Sequence, residues 1–283
     1  MIIIDAHIHF SRIASFKDAA SHGSGCDYSL AGLQTEITRN HVSVVVGMGL
    51  QESLPYAFPD AAAPNPMGLD LSDSWPEELY SCPGINPYNL TKESLDGIEK
   101  ALQFPRTVGI KLYTGYYPFY VTDPVYEPVY DLAARYKLPV LIHSGDTFSD
   151  RALIKYAHPL TVDELAVRHR RNTFVITHMG DPWIRDAGQI IRKNANVWTD
   201  VAGLLVGSRR YFEESANEPL ILNEFRYALI SAASWDKILF GSDWPLAPMD
   251  VYRDFVSKIV PDKHLENVLG KNALNLFGRI SIR

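Results

Sequence analysis

Two histidines one residue apart, His7 and His9, close the run Ile2-Ile3-Ile4-Asp5-Ala6-His7-Ile8-His9. The apolar, β-branched residues before them read as a buried strand, where side chains two apart share a face at roughly 6.6 Å along the backbone. Both imidazoles can therefore reach one point in space, as two ligands of a single metal ion do. Alone, such a pair is as readily a couple of hydrogen-bonded core histidines. Four further polar residues stand at the ends of their own apolar runs: Lys111 in Gly109-Ile110-Lys111-Leu112-Tyr113, His143 in Leu141-Ile142-His143-Ser144-Gly145, His178 in Thr177-His178-Met179-Gly180, and Asp243 in Gly241-Ser242-Asp243-Trp244-Pro245. Imidazole and carboxylate suit a divalent ion such as zinc, manganese, iron or cobalt, with no thiolate needed. His7, His9, His143 and Asp243 can supply three nitrogens and one oxygen and leave a position for water. An ion there would lower the pKa of that water from ~15.7 toward ~7. Asp243 is then the acceptor of its proton, and His178 can polarise a substrate carbonyl or carry a proton to the leaving group.

Such residues, far apart in sequence, need a scaffold that brings strand ends together. Short apolar runs predict strands at Ile2–Ile8, Val42–Met48, Leu79–Ile85, Val108–Tyr113, Pro139–His143, Phe174–His178, Val197–Asp200 and Ile238–Gly241. Amphipathic stretches between them predict helices at Leu30–Arg39, Lys92–Leu102, Val125–Tyr136, Val162–Arg170, Trp183–Lys193, Glu218–Ala233 and Tyr252–Val260. This alternation over one chain points to an α/β fold, a closed parallel (β/α)8 TIM barrel, in which the carboxyl ends of the strands build the active site. An open doubly wound sheet is the rival, but no G-x-G-x-x-G follows the first strand. The proline-rich stretch from Gln51 to Pro76 reads as an ordered loop with some helix, inserted after strand 2. With no repeat or Ser/Gly linker to divide it, 1–283 is read as one barrel domain.

The chain has 283 residues, 46% of them hydrophobic and 21% charged, which suits a globular protein with a sizeable core. A net charge of −6 argues against nucleic acid or an anionic membrane as the main partner. Two cysteines, Cys26 and Cys82, make no disulfide framework, and no apolar run has the length of a membrane span. The expectation is a cytoplasmic enzyme acting on a small molecule.

The motifs Asp5-Ala6-His7-Ile8-His9, Gly109-Ile110-Lys111-Leu112, Leu141-Ile142-His143-Ser144-Gly145, Thr177-His178-Met179-Gly180 and Gly241-Ser242-Asp243-Trp244-Pro245 together resemble the amidohydrolase superfamily. More narrowly they resemble its amidohydrolase-related branch, which includes the aminocarboxymuconate semialdehyde decarboxylase-like enzymes. The likeness extends to Asn272-Ala273-Leu274-Asn275-Leu276-Phe277, similar to the branch's C-terminal helix. It implies a metallo-dependent hydrolase barrel, with His7, His9, His143 and Asp243 on one divalent ion, zinc foremost, and His178 as the catalytic histidine. It also implies an alternative, a binuclear centre in which a carboxylated Lys111 bridges two ions. Otherwise Lys111 holds substrate or is a buried ammonium paired with a carboxylate. A homodimer is expected by resemblance only.

Weaker candidates surround this set. Asp5, two residues before His7, is either an acceptor orienting an imidazole or a polar residue at the strand mouth. Asp200 closes strand 7 and resembles an acidic residue placed there in relatives; it orients His178, binds substrate or caps the strand. Tyr113 begins the aromatic run Tyr113-Thr114-Gly115-Tyr116-Tyr117-Pro118-Phe119-Tyr120, a wall for a planar substrate or a subunit interface. Arg209 and Arg210 are candidates for clamping a substrate carboxylate. The leading activity is hydrolysis of a lactone, ester or amide. The alternatives are non-oxidative decarboxylation of an unsaturated or aromatic acid, and a binding barrel with a structural metal.

Overall fold

The computed structural model describes residues 1–11, 13–63 and 76–282. Among these, eight strands follow one another: β1 Ile4–Ile8, β2 Val44–Met48, β3 Leu79–Cys82, β4 Ile110–Leu112, β5 Val140–Ile142, β6 Phe174–Ile176, β7 Val197–Asp200 and β8 Ile238–Leu239. All neighbours pair in parallel, in two ladders ordered β1-β2-β3 and β4-β5-β6-β7-β8. Backbone hydrogen bonds join the ladders at both seams. From β3 to β4, Val108 N donates to Ser81 O and Lys111 N to Pro83 O, both at 2.9 Å. From β8 to β1, Ala6 N donates to Phe240 O and Asp243 N to His7 O, again at 2.9 Å. The sheet closes on itself as a TIM barrel.

Every expected strand is present, β7 with the bounds expected and the others shortened. β6 ends at Ile176 because Thr177–Gly180 turn as a 3-10 segment in which His178 and Met179 take left-handed backbone angles. β8 ends at Leu239, and Asp243 beyond it also has a positive φ of 60°. The expected helices form at Leu30–Arg39, Lys92–Gln103, Glu127–Tyr136, Leu160–Arg168, Ile184–Lys193, Pro219–Ala232 and Met249–Ile259. Ser29 and Thr91 start the first two by accepting from Gly32 N and Ser94 N, satisfying otherwise orphaned amides. The further helices Ala14–Asp18, Arg209–Ser215 and Asp262–Glu266 are too short for a periodic pattern to reveal. In the insertion after β2, residues 51–63 form turns and bends without helix, and residues 64–75 lie outside the described residues.

Two apolar layers hold the barrel. Inside it, Ile4, Ala6, Val44, Val46, Leu141, Val175 and Leu239 pack together, with Ala273 and Phe277 of the C-terminal segment against them. Outside, Ile8, Val45, Ile110, Ile142, Ile176 and Phe240 pack against the helices. Apart from a break in β1, side chains along the strands alternate between the two layers, as a period of two requires. Among the described residues no helix is long and apolar enough to cross a membrane.

Candidate active site

The alternation fails once, and the failure makes the site. Between Asp5 and Ile8 the β1–β2 register shifts, so β1 carries a bulge there. Ile4 and Ala6 point inward below it, whereas Ile8 and Phe10 point outward above it. His7 and His9 are thereby turned to the barrel interior together, their ring centroids 5.3 Å apart. Asp5 does not share their face, contrary to a strict count of two. Its Oδ1 accepts from His7 N at 3.3 Å and Ser242 N at 2.9 Å, so it ties the β1 backbone to the segment after β8 and orients no imidazole. Burial pushes its carboxyl up to about 7.

His7, His178 and Asp243 converge: one nitrogen or oxygen from each lies within 4.8 Å of the others, all in the interior. His9 Nε2 stands 3.3 Å from Asp243 Oδ1, and His7 Nε2 stands 3.6 Å from the same oxygen. Neither contact has hydrogen-bond geometry, and this buried oxygen has no hydrogen-bond partner. Burial lowers the pKa of His7 and of His9, which favours neutral imidazoles with a lone pair to offer. Burial alone would raise Asp243, but His9 and the other imidazoles around it hold its carboxyl below the ordinary range. A buried carboxylate oxygen without a partner, faced by two neutral imidazole nitrogens, fits a divalent cation.

His143 lies beside this group. Its ring contacts His178 at 4.9 Å between centroids, and its Nε2 faces the Asp146 carbonyl at 2.9 Å. His178 Nδ1 faces the Ala202 carbonyl at 3.0 Å, which leaves Nε2 available. Asp200 is fully buried, with Oδ2 on His7 Nδ1 at 2.8 Å and Oδ1 accepting from His178 N at 2.7 Å. Lys111 is also fully buried, 3.5 Å from His7 Nε2 and 3.4 Å from Thr177 Oγ1, with no direct ion pair among the described residues. Burial pulls its ammonium down to about 8, opposed by the charges of Asp200 and Asp243.

Above the group opens a cavity of about 490 Å³ lined by His9, His143, His178 and Asp243 on its floor. Phe16, Phe58, Tyr113, Tyr116 and Phe148 wall it, so the aromatic run after β4 contributes to a pocket. Tyr113 itself donates to Gly49 O at 2.8 Å and presents its ring rather than a free hydroxyl. Arg209 and Arg210 are elsewhere, bonded to Asp250 and Glu214. Arg151, Asp181 and Gly203 are among the lining residues that no sequence signal was strong enough to name. Gly203 has φ +65°, and a Cβ there would stand 2.7 Å from Asp243 Oδ2 and 2.9 Å from His178 Nδ1. Its place three residues after Asp200, at a strand end, was the available clue.

Known structures share this architecture. An uncharacterised TIM-barrel protein from Bordetella bronchiseptica is 17% identical with TM-score 0.70, covering 99% of both chains. The 2,6-dihydroxybenzoate decarboxylase from Rhizobium is 15% identical with TM-score 0.66, over 98% of this chain and 99% of that one. A probable 2-pyrone-4,6-dicarboxylic acid hydrolase from Acinetobacter baumannii, with citric acid bound, is 18% identical with TM-score 0.63, over 98% of this chain and 100% of that one. Such identities establish a common fold. No curated protein matches the sequence. The amidohydrolase family model, by contrast, matches residues 4–279, from the first residue of β1 to beyond the C-terminal helix. The chain belongs to the amidohydrolase family of enzymes.

Proposed function

We propose that this protein is a metal-dependent hydrolase of a lactone, ester or amide carbonyl in a ring-bearing substrate. The observation that carries the reading is the buried Asp243 oxygen, unpartnered and faced by the imidazoles of His7 and His9. His7, His9, His143 and Asp243 are the residues we assign to one divalent ion, zinc foremost. A bound ion would act as a Lewis acid on the carbonyl and bring water's ionisation near neutral pH.

The remaining chemistry belongs to the chain. Asp243 accepts the proton of the attacking water, since its depressed pKa keeps it ionised. His178 carries a proton to the leaving group through Nε2, with Nδ1 fixed on the Ala202 carbonyl. Its nearness to His7 and Asp243 is what a proton carrier beside the ion needs, as much as a ligand does. The aromatic walls orient a planar substrate by stacking and exclude water from the reacting bond.

Charge around the cavity favours an uncharged substrate over an acid. Among the described lining residues, Glu52, Asp146, Asp150 and Asp181 outnumber Arg151. Arg151 Nη1 is moreover bonded to the carbonyls of Tyr56 and Ala57 at 3.3 and 3.2 Å. Decarboxylation of an aromatic acid is the second reading, favoured by the aromatic walls if Arg151 receives the carboxylate. The test is turnover of the zinc-reconstituted protein on aryl lactones, esters and amides, followed by acid release, against aromatic acids, followed by CO2 release. Acid release that stops on metal removal is expected. CO2 release without any hydrolysis would overturn the leading reading.

A further inference from the structure

We infer that Asp200 is a positioning residue that fixes which nitrogen of His7 carries the proton and, through the backbone, holds His178 against the same site. The inference rests on the reading that His7 contributes to a metal centre. Its geometric part does not.

Both oxygens of Asp200 are committed in the barrel interior. Oδ2 meets His7 Nδ1 at 2.8 Å. A carboxylate can only accept, so the proton lies on His7 Nδ1 and the lone pair on Nε2. That is the nitrogen turned toward Asp243, 3.6 Å from its Oδ1. Oδ1 accepts from His178 N at 2.7 Å and Ala202 N at 3.2 Å. The first bond secures a residue whose backbone sits at φ 58° and ψ 22°, a left-handed conformation unfavourable for an L residue. The second secures Ala202, the residue whose carbonyl receives His178 Nδ1 at 3.0 Å. His178 is therefore held twice, by its amide directly and by its ring through Ala202. In His178 Nε2 is left free, and in His7 the Nε2 lone pair is turned to Asp243 and to Lys111 Nζ, 3.5 Å away. One carboxylate reached from strand β7 thus organises side chains contributed by β1 and by the turn after β6.

Asp200→Asn separates this role from a merely structural one, because it keeps the shape of the side chain. Its amide oxygen can still accept from His178 N and Ala202 N, while its NH2 faces His7 Nδ1. A donor there forces Nδ1 to accept and moves the His7 proton to Nε2. The His178 ring, bonded to a carbonyl that the substitution leaves in place, keeps its proton on Nδ1 and serves as the internal control. The readouts are imidazole 15N shifts of the metal-free full chain and the affinity for Zn²⁺ by competition with a chelating indicator.

We expect His7 protonated on Nδ1 in the unmodified protein and on Nε2 in Asp200→Asn, with His178 unchanged in both. Zinc affinity in the variant should fall by about 10–100-fold. A His7 proton on Nε2 in the unmodified protein would overturn the inference even if the variant does not fold. So would a variant with unmoved His7 shifts or undiminished zinc affinity. Failure of the unmodified protein to bind zinc would instead sink the metal reading, and the nitrogen shifts would still decide the role of Asp200.

Discussion

The barrel has two seams where its regular ladders give way, and they are built differently. At the β3–β4 seam the bonds run between backbone groups, with Lys111 the site residue that takes part, and the tight point is Gly84, where a Cβ would lie 2.3 Å from Gly49 O. At the β8–β1 seam the participants are themselves the polar residues of the site. Asp243 N donates to His7 O, His9 N to Trp244 O and Ser242 N to Asp5 Oδ1. Asp243 takes φ 60° in the process, and Gly203 nearby leaves room for Asp243 and His178 to lie side by side. One seam closes the cylinder for packing. The other closes it while turning functional groups inward, with Asp243 in a left-handed backbone conformation.

If this contrast is right, damage at the two seams should have different consequences. The largest effect is expected for His178→Asn, which should lower kcat by about 10²–10⁴-fold while leaving metal content and melting temperature close to those of the parent. His143→Asn should instead lower metal content. Loss of metal from the His178 variant with full retention by the His143 variant would exchange their roles.

Next in size is a pair of glycine substitutions. Gly84→Ala should destabilise the fold by about 1–3 kcal/mol or more in denaturant titrations, since backbone must move to admit the methyl group. Gly203→Ala should cost less stability but most of the turnover, because the atoms displaced are Asp243 Oδ2 and His178 Nδ1. Equal loss of stability at both positions, with activity tracking it, would remove the distinction between the seams.

Metal removal comes third. Chelation should lower the melting temperature and zinc should restore it, as any ligand of the folded state alone must do. An unchanged melting temperature would argue that the β8–β1 seam needs no ion to relieve it.

The smallest expected effect concerns Asp181, whose carboxyl is pushed up to about 6 by burial and then by the charges of Glu224 and Asp146. Between about pH 4 and pH 6 the folded chain then binds more protons at this residue than the unfolded chain does. Its contribution to stability therefore falls as pH rises through that window and stays low above it. Asp181→Asn should remove the slope, so the variant gains stability relative to the parent at pH 7 and not at pH 4. An identical pH dependence in both proteins would dismiss the idea that burial raises this carboxyl.

Much of this was legible in the sequence. Apolar runs located all eight strands, and the ends of those runs named His7, His9, Lys111, His143, His178 and Asp243, which the structure gathers at one end of the barrel. Residue counting failed where the period of two was broken. The bulge in β1 reverses the sides of Asp5 and His7, and no local residue type announces it. The expected direct partner of Lys111 is replaced by an imidazole and a hydroxyl, because the neighbouring acids Asp200 and Asp243 are turned onto histidines. Asp200 could be named as a candidate but not given its partners, since His7 is 193 residues away in sequence. Such pairings depend on barrel closure, which periodicity predicts only in outline.

The most direct test of the metal centre is elemental analysis of the protein purified without chelator and after incubation with zinc. Close to one divalent ion per chain is the predicted result. No ion retained and none regained would contradict the account, and two per chain would replace the single site with a centre bridged at Lys111.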